Sequence, residues 1–210
     1  MKIQNVRSTY INCGKLKSLR PILKKWVRLN RRYCEMESWE ECAWWANERA
    51  SISTLAAAAW TMGGIALEEY STAKVSKKKQ RTGRCDLYIK IGKDKNFACE
   101  AKQIIPRLNK GNAHDISNVK EQFDWACDDA RNLSSSEGRR LGLCFVAPRF
   151  PHSQIPFDDC LEEYLENLQR LNFHAIAWYF PNKARHMKWK TNQRIYPGVV
   201  LLIREIFRGA

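Results

Sequence analysis

The sequence predicts an α/β fold, a mixed sheet flanked by helices, and three observations carry that prediction. Leu87, Ile89 and Ile91 alternate with Asp86, Tyr88 and Lys90, and Phe97, Cys99 and Ala101 alternate with Ala98, Glu100 and Lys102, the period-2 pattern of two half-buried strands. Gly92-Lys93-Asp94-Lys95 lies between them as a turn, which makes the pair a hairpin. Downstream, the period itself alternates. A helix is expected from Ser117 to Leu133 and another from Asp159 to Leu171, with buried strands at Leu141 to Ala147, Ala175 to Phe180 and Val199 to Ile206.

Upstream of the hairpin the elements follow in order. Residues 1–34 contain ten Lys or Arg and no acid, and Leu19, Ile22, Leu23, Trp26, Leu29 and Tyr33 recur at helical spacing. We read residues 1–37 as a basic helical N-terminal extension and residues 38–210 as the domain proper. The cations of the extension either contact a polyanion or form a solvated face. Ser38-Trp39-Glu40-Glu41 has the form of a capping box and predicts a helix running to Met62, where Gly63-Gly64 ends it. On that helix Glu48 shares a stripe with Trp44, Ile52, Leu55 and Ala59, so it requires a partner, either a metal or a structural salt bridge. Ile65 to Ala73 is the first strand, and the parity of its Glu68 and Glu69 lets only one of them face inward with Asp86. Lys74 to Arg84 reads as a polar loop. Its Lys77, Lys78, Lys79, Arg81 and Arg84 suit phosphate contacts, with a plain solvated loop as the alternative. A last basic stretch, Lys183 to Arg194, carries Trp189, either a stacking platform or a core residue.

Composition narrows the function. A formal charge of +14 on 210 residues points to a polyanionic partner, with nucleic acid preferred over an anionic membrane. No stretch approaches the ~18 apolar residues of a membrane span, and no signal-peptide core is present, so a cytoplasmic location is expected. The eight cysteines form no C-x-x-C pair and read as buried thiols of a reducing compartment. The four histidines lack zinc-like spacing, and there is no P-loop, no G-x-G-x-x-G and no serine nucleophile elbow.

The hairpin supplies the chemistry. If its two apolar sets share one face, Asp86, Glu100 and Lys102 share the other. Asp86 lies across from Glu100 only if the connection has an odd number of residues, such as Gly92 to Asp94. Two carboxylates then offer hard oxygen ligands to a Mg²⁺-type ion. Lys102 sits beside the attacking water, where it stabilises hydroxide and the charge that grows in a phosphoryl transition state. This is the equipment of metal-assisted phosphodiester hydrolysis. Gln103, next along, is either a substrate contact or an ordinary strand-end polar residue.

Asp86 followed by Glu100-Ala101-Lys102 resembles the motif of the PD-(D/E)XK nuclease superfamily, with Cys85 where the family's name has proline. The resemblance extends over residues 38–180. It implies a restriction-endonuclease-like αβββαβ core and a Mg²⁺-dependent nuclease in which Mn²⁺ can substitute. Asp86 and Glu100 would be metal ligands, and Lys102 catalytic. It also implies an auxiliary acid, Glu48 on the helix before the sheet, with Glu68 and Glu69 as rivals. Double-stranded DNA is the implied substrate, and a bacterium or mobile element the implied setting. A homodimer or larger complex would serve cutting of both strands. Two alternatives stand beside this: a non-catalytic nucleic-acid-binding module of the same fold, and a nuclease acting on RNA or single strands.

Overall fold

Strand residues of opposite parity feed two separate hydrophobic cores, and this division places a helical layer on each face of one sheet. The computed structural model describes residues 7–76, 79–109, 111–134, 136–154, 156–186 and 194–207. In chain order the elements are β1 (Arg7–Ile11), α1 (Arg20–Met36), α2 (Glu48–Thr61), β2 (Ile65–Ser76), β3 (Lys79–Ile91), β4 (Lys95–Ile104) and α3 (Ser117–Arg131). They continue with β5 (Arg139–Val146), β6 (Phe150–Pro151), α4 (Asp158–Leu168), β7 (Ala175–Tyr179), β8 (Arg194–Ile195) and β9 (Val199–Ile206). Seven strands make a mixed sheet in the order β1-β7-β9-β5-β4-β3-β2, while β6 and β8 pair separately. Within the sheet β4 and β5 run parallel and the other neighbours are antiparallel.

On β5, Leu141, Leu143 and Phe145 point to the core closed by α1 and α2, and Cys144 and Val146 to the core closed by α3 and α4. The hairpin's apolar residues Leu87, Ile89, Phe97, Cys99 and Ala101 all lie in the first core, as their alternation predicts. On α3, the expected residues Val119, Phe123, Ala126, Cys127 and Ala130 are the buried ones. The segment read as an N-terminal extension supplies β1, an edge strand paired with β7, and α1, whose Ile22, Leu23, Trp26 and Val27 enter the first core. Burial of a side chain such as Trp26 removes its whole apolar surface from water, at roughly 25 cal/mol per Å², and its Nε1 donates to Thr54 Oγ1 of α2 at 3.0 Å. β1 escaped the sequence reading because five residues give too little alternation to register.

Two expectations are corrected. The helix expected from Ser38 begins only at Glu48, capped by Asn47, whose side chain accepts the Ala50 N–H at 2.9 Å. Ser38 and Trp39 instead adopt left-handed backbone, φ 53° and 64°, and Trp39 N–H bonds back to the Cys34 carbonyl at 2.7 Å. The apparent capping box therefore stops α1 and does not start α2. The basic segment Lys74 to Arg84, expected as a loop, is the far half of a hairpin whose pairing runs from Ile65↔Lys90 to Ser76↔Lys79. That half extends past the β3–β4 ladder and docks on the chain after α3. Val75 N–H bonds the Asn132 carbonyl at 2.7 Å, Ser134 N–H the Ala73 carbonyl at 2.9 Å, and Tyr70 donates to Glu137 at 2.5 Å. These long-range partners are invisible to local propensity, so the segment's polarity alone misleads.

All eight cysteines are free thiols, seven of them buried. Among the described residues, no helix is long and apolar enough to cross a membrane.

α3 reaches the sheet closely because β5 presents a glycine to it. A Cβ on Gly142 would stand 2.6 Å from Cys127 Sγ and 2.8 Å from the Cys127 backbone N. Gly142 is also the strand partner of Glu100, so this contact sets how near α3 comes to the acids of β4. Gly142→Ala is expected to lower stability by about 1–3 kcal/mol through overpacking. Urea unfolding should show a reduced midpoint at unchanged m value.

Candidate active site

The connection between β3 and β4 is the three residues Gly92 to Asp94, with Ile91 paired to Lys95 and Gly92 at φ 62°. Its odd length carries the register on to Leu87↔Cys99 and brings Asp86 opposite Glu100 at the next step. There the ladder gives way: Asp86 Oδ2 accepts the Ala101 N–H at 2.7 Å. On the other side of β3, Glu69 falls between the pairs Glu68↔Leu87 and Tyr70↔Cys85, with φ 54°. A left-handed glutamate costs about 1–3 kcal/mol and is held in place by Arg84 at 3.2 Å and Arg49 at 3.4 Å.

Three further elements complete the cluster. From the hairpin arm, Lys74 Nζ donates to Glu100 Oε2 at 2.9 Å. The same nitrogen is 2.9 Å from Oε1, outside hydrogen-bonding geometry, and Oε1 is buried with no hydrogen bond. From α3, Asp129 meets Lys102 Nζ at 2.8 Å. From the first turn of α2, Glu48 Oε2 accepts the backbone N–H of Gln103 at 2.9 Å.

Four carboxylates, Glu48, Asp86, Glu100 and Asp129, thus share one field with two ammonium groups, Lys74 and Lys102. Burial raises the Glu100 carboxyl to about 7, with the Asp86 charge adding and Lys74 opposing. Asp86 is also raised by burial, against the Ala101 N–H, Lys102 and Lys74. Burial raises Glu48 too, reinforced by Asp86 and opposed by Lys102. Burial pulls the Lys102 ammonium down, but Asp129, Glu48 and Asp86 outweigh it and hold Lys102 above its ordinary value. The cluster has more negative charge than its own cations neutralise.

That surplus tests the fit of a metal. The donors are hard carboxylate oxygens, the chemistry Mg²⁺ and Mn²⁺ select, and Glu100 Oε1 is buried without a hydrogen bond, with the Lys74 ammonium 2.9 Å away. Asp86, Glu100 and Glu48 are of the donor type such an ion takes. Among the described residues no three acidic, His or Cys side chains already stand in a ligating group. Lys74 takes the place of a cation on Glu100, and Asp86 and Glu48 each commit an oxygen to a backbone N–H.

Of the residues singled out in the sequence, Asp86, Glu100, Lys102 and Glu48 are brought together. Gln103 contributes its backbone N–H. Its side chain turns to the α2 side, accepting from Ser51 Oγ at 2.7 Å and donating to the Trp44 carbonyl at 3.2 Å. Glu69 is the acid whose charge reaches Asp86, while Glu68 accepts from Ser53 at 2.8 Å. Arg81 is exposed on β3, and exposed Arg84 pairs with Glu69. Lys79 pairs through its backbone with Ser76, and Lys77, Lys78 and Trp189 lie outside the described residues. Lys74 and Asp129 were missed. Lys74 was hidden by the loop reading, and Asp129, on the helix next along the chain, carries no signal until α3 is packed on β4.

Fold and site together define an α/β protein with a cluster of carboxylates and lysines, around the buried Glu100, where the β3–β4 ladder ends. A scan of the chain against protein-family models, and searches of curated proteins and of solved structures, return no match.

The titration of Glu100 makes a prediction for the metal-free chain. Its folded pKa of about 7 exceeds the ordinary 4.5, so between these values the native state keeps a proton that the unfolded state has released. The contribution is therefore present in full below pH 4.5 and is lost as pH rises through 7. In EDTA, Glu100→Gln should flatten this part of the stability profile and exceed the wild type at pH 8 by roughly 2–3 kcal/mol. Denaturant melts across pH check it, and a parallel pair of profiles would refute the assignment.

Proposed function

We propose that the chain is a metal-dependent nuclease that hydrolyses phosphodiester bonds in nucleic acid, with double-stranded DNA as its substrate. The observation that carries this reading is the odd connection at Gly92–Asp94, which sets Asp86 against Glu100 with Lys102 two residues on. The succession α2-β2-β3-β4-α3-β5 supports a restriction-endonuclease-like core, because it repeats the αβββαβ order that the Asp86 and Glu100-Ala101-Lys102 motif implies.

Asp86 and Glu100, with Glu48 as auxiliary acid, would hold Mg²⁺ or Mn²⁺. The ion would supply Lewis acidity and a lowered pKa for water. The chain's own residues do the rest. Lys102 stays protonated against Asp129 and presents positive charge to the developing phosphoryl anion. Gln103 N–H fixes the Glu48 carboxylate, and Ala101 N–H fixes that of Asp86, so both acids approach the reacting phosphate from set positions. Arg81 and Arg84 along the hairpin arm provide phosphate contacts that position a duplex.

One observation favours the rival reading of a non-catalytic nucleic-acid-binding module. Lys74 and Asp129 already engage Glu100 and Lys102, which lets the cluster persist without a metal. Cleavage of supercoiled plasmid, linear duplex, single strands and RNA with Mg²⁺, Mn²⁺ or EDTA separates the two. The nuclease reading expects metal-dependent cutting that falls by at least about 10²-fold in Asp86→Asn and Lys102→Ala. Binding without cutting in any metal, unchanged by Asp86→Asn, would establish the module instead.

A further inference from the structure

A second basic feature lies at the far edge of the sheet from the hairpin arm. Between β1 and α1 is a cleft of about 430 Å³ lined by Ser8, Thr9, Arg20, Lys24, Val27 and Arg28. The three cations follow one another at i, i+4 and i+8, so they stand in one row along the helix, about 6 Å apart. Val27 is buried and forms an apolar floor, and Thr9, whose parity on β1 is that of the first core, brings a hydroxyl group. No acid among the described residues lines the cleft. Among the described residues no ion pair engages Arg20, Lys24 or Arg28, whereas Arg31, one turn further on, is neutralised by Glu35 at 2.6 Å. β1 is an edge strand, so its outer N–H groups have no strand partner.

Along the strand direction the cleft is level with the end of β4: following strand partners across the sheet, Gln103 leads to Phe145, Leu201, Ala177 and Thr9. The two sites open on different faces, since α1 covers the face that carries Thr9, whereas Asp86, Glu100 and Lys102 alternate with the first-core residues and face α3.

We propose that the β1–α1 cleft is a second nucleic-acid-binding site, in which Arg20, Lys24 and Arg28 take phosphates of one strand. Its binding role stands without cleavage and does not rest on the nuclease reading. Row geometry, cations without an ion-pair partner among the described residues, and a lining without an acid among them favour a phosphodiester chain over an anionic bilayer. A membrane contact would also need exposed apolar side chains in the lining, where Val27 is covered; the exposed Tyr10, Tyr33 and Met36 of the same elements are not part of that lining.

The test is fluorescence anisotropy of a labelled duplex, and of its single strand, in EDTA so that no cutting intervenes. Arg20→Gln/Lys24→Gln/Arg28→Gln should weaken binding at least 10-fold and reduce the salt slope on duplex by about 2.7, three phosphates at about 0.9 each. The double variant Lys24→Gln/Arg28→Gln, with both residues exposed, should show about two thirds of the slope change and guards against a folding defect. Lys90→Gln/Lys93→Gln/Lys95→Gln removes the same charge at the opposite end of the strands and should change binding far less. Equal losses in the two triple variants would overturn the site, since net charge alone would then explain them. So would unchanged binding in the cleft variants, or cleft variants that lose affinity only for anionic phospholipid vesicles. Because the readout is binding in EDTA, a wild type that binds DNA but never cuts it would fail the nuclease reading and leave the cleft standing.

Discussion

Like charges held close together out of water demand a cation, and the rest of this molecule is organised around meeting that demand. The hairpin register leaves no choice about Asp86 and Glu100: an odd connection brings them opposite each other one step beyond the ladder, and the apolar alternation turns them away from the first core. Glu100 is buried and Asp86 half-buried, and the Asp86 charge raises the affinity of Glu100 for a proton. Everything near them responds to that charge. The β2–β3 arm folds back so that Lys74 reaches Glu100, and α3 comes close enough over Gly142 for Asp129 to settle Lys102.

Placing an ammonium on Glu100 and a carboxylate on Lys102 makes the cluster self-consistent without a metal, yet it does not use up the demand. Glu100 Oε1 remains buried without a hydrogen bond, and three carboxyls stay above their ordinary range. An arrangement built only for stability would replace such a cluster by apolar packing at little cost or some gain. Four acids around two lysines, at the point where two strands part, are the physical argument for the chemical role proposed. The arm matters here because it carries both Lys74 and the arginines beyond it, linking any change at Glu100 to the surface a polyanion would touch.

Positive charge is distributed in two places with different constraints. On the hairpin arm part of it is tied up with acids, as Arg84 is with Glu69. Along α1 no ion pair engages the row from Arg20 to Arg28 among the described residues, and no acid stands within a helical turn of any of the three. The two regions lie toward opposite edges of one sheet.

What the sequence by itself determined were the features with a local physical cause. The period-2 alternation of 86–91 and 97–102 put Asp86, Glu100 and Lys102 on one side on condition of an odd connection, which the Ile91↔Lys95 pairing supplies. The apolar stripes of α3 and α4 were readable for the same reason, since burial imposes period on residue type. Tertiary structure decided the rest. Whether Ser38 opened a helix or closed one depended on a bond back to Cys34, and whether 74–84 was loop or strand depended on the chain after α3. Lys74 and Asp129 joined the cluster through contacts 26 and 27 residues away in sequence, a distance at which no local pattern carries information. Charge and alternation specify what a strand must bury or expose, but only packing of the whole chain specifies which distant side chain arrives to balance it.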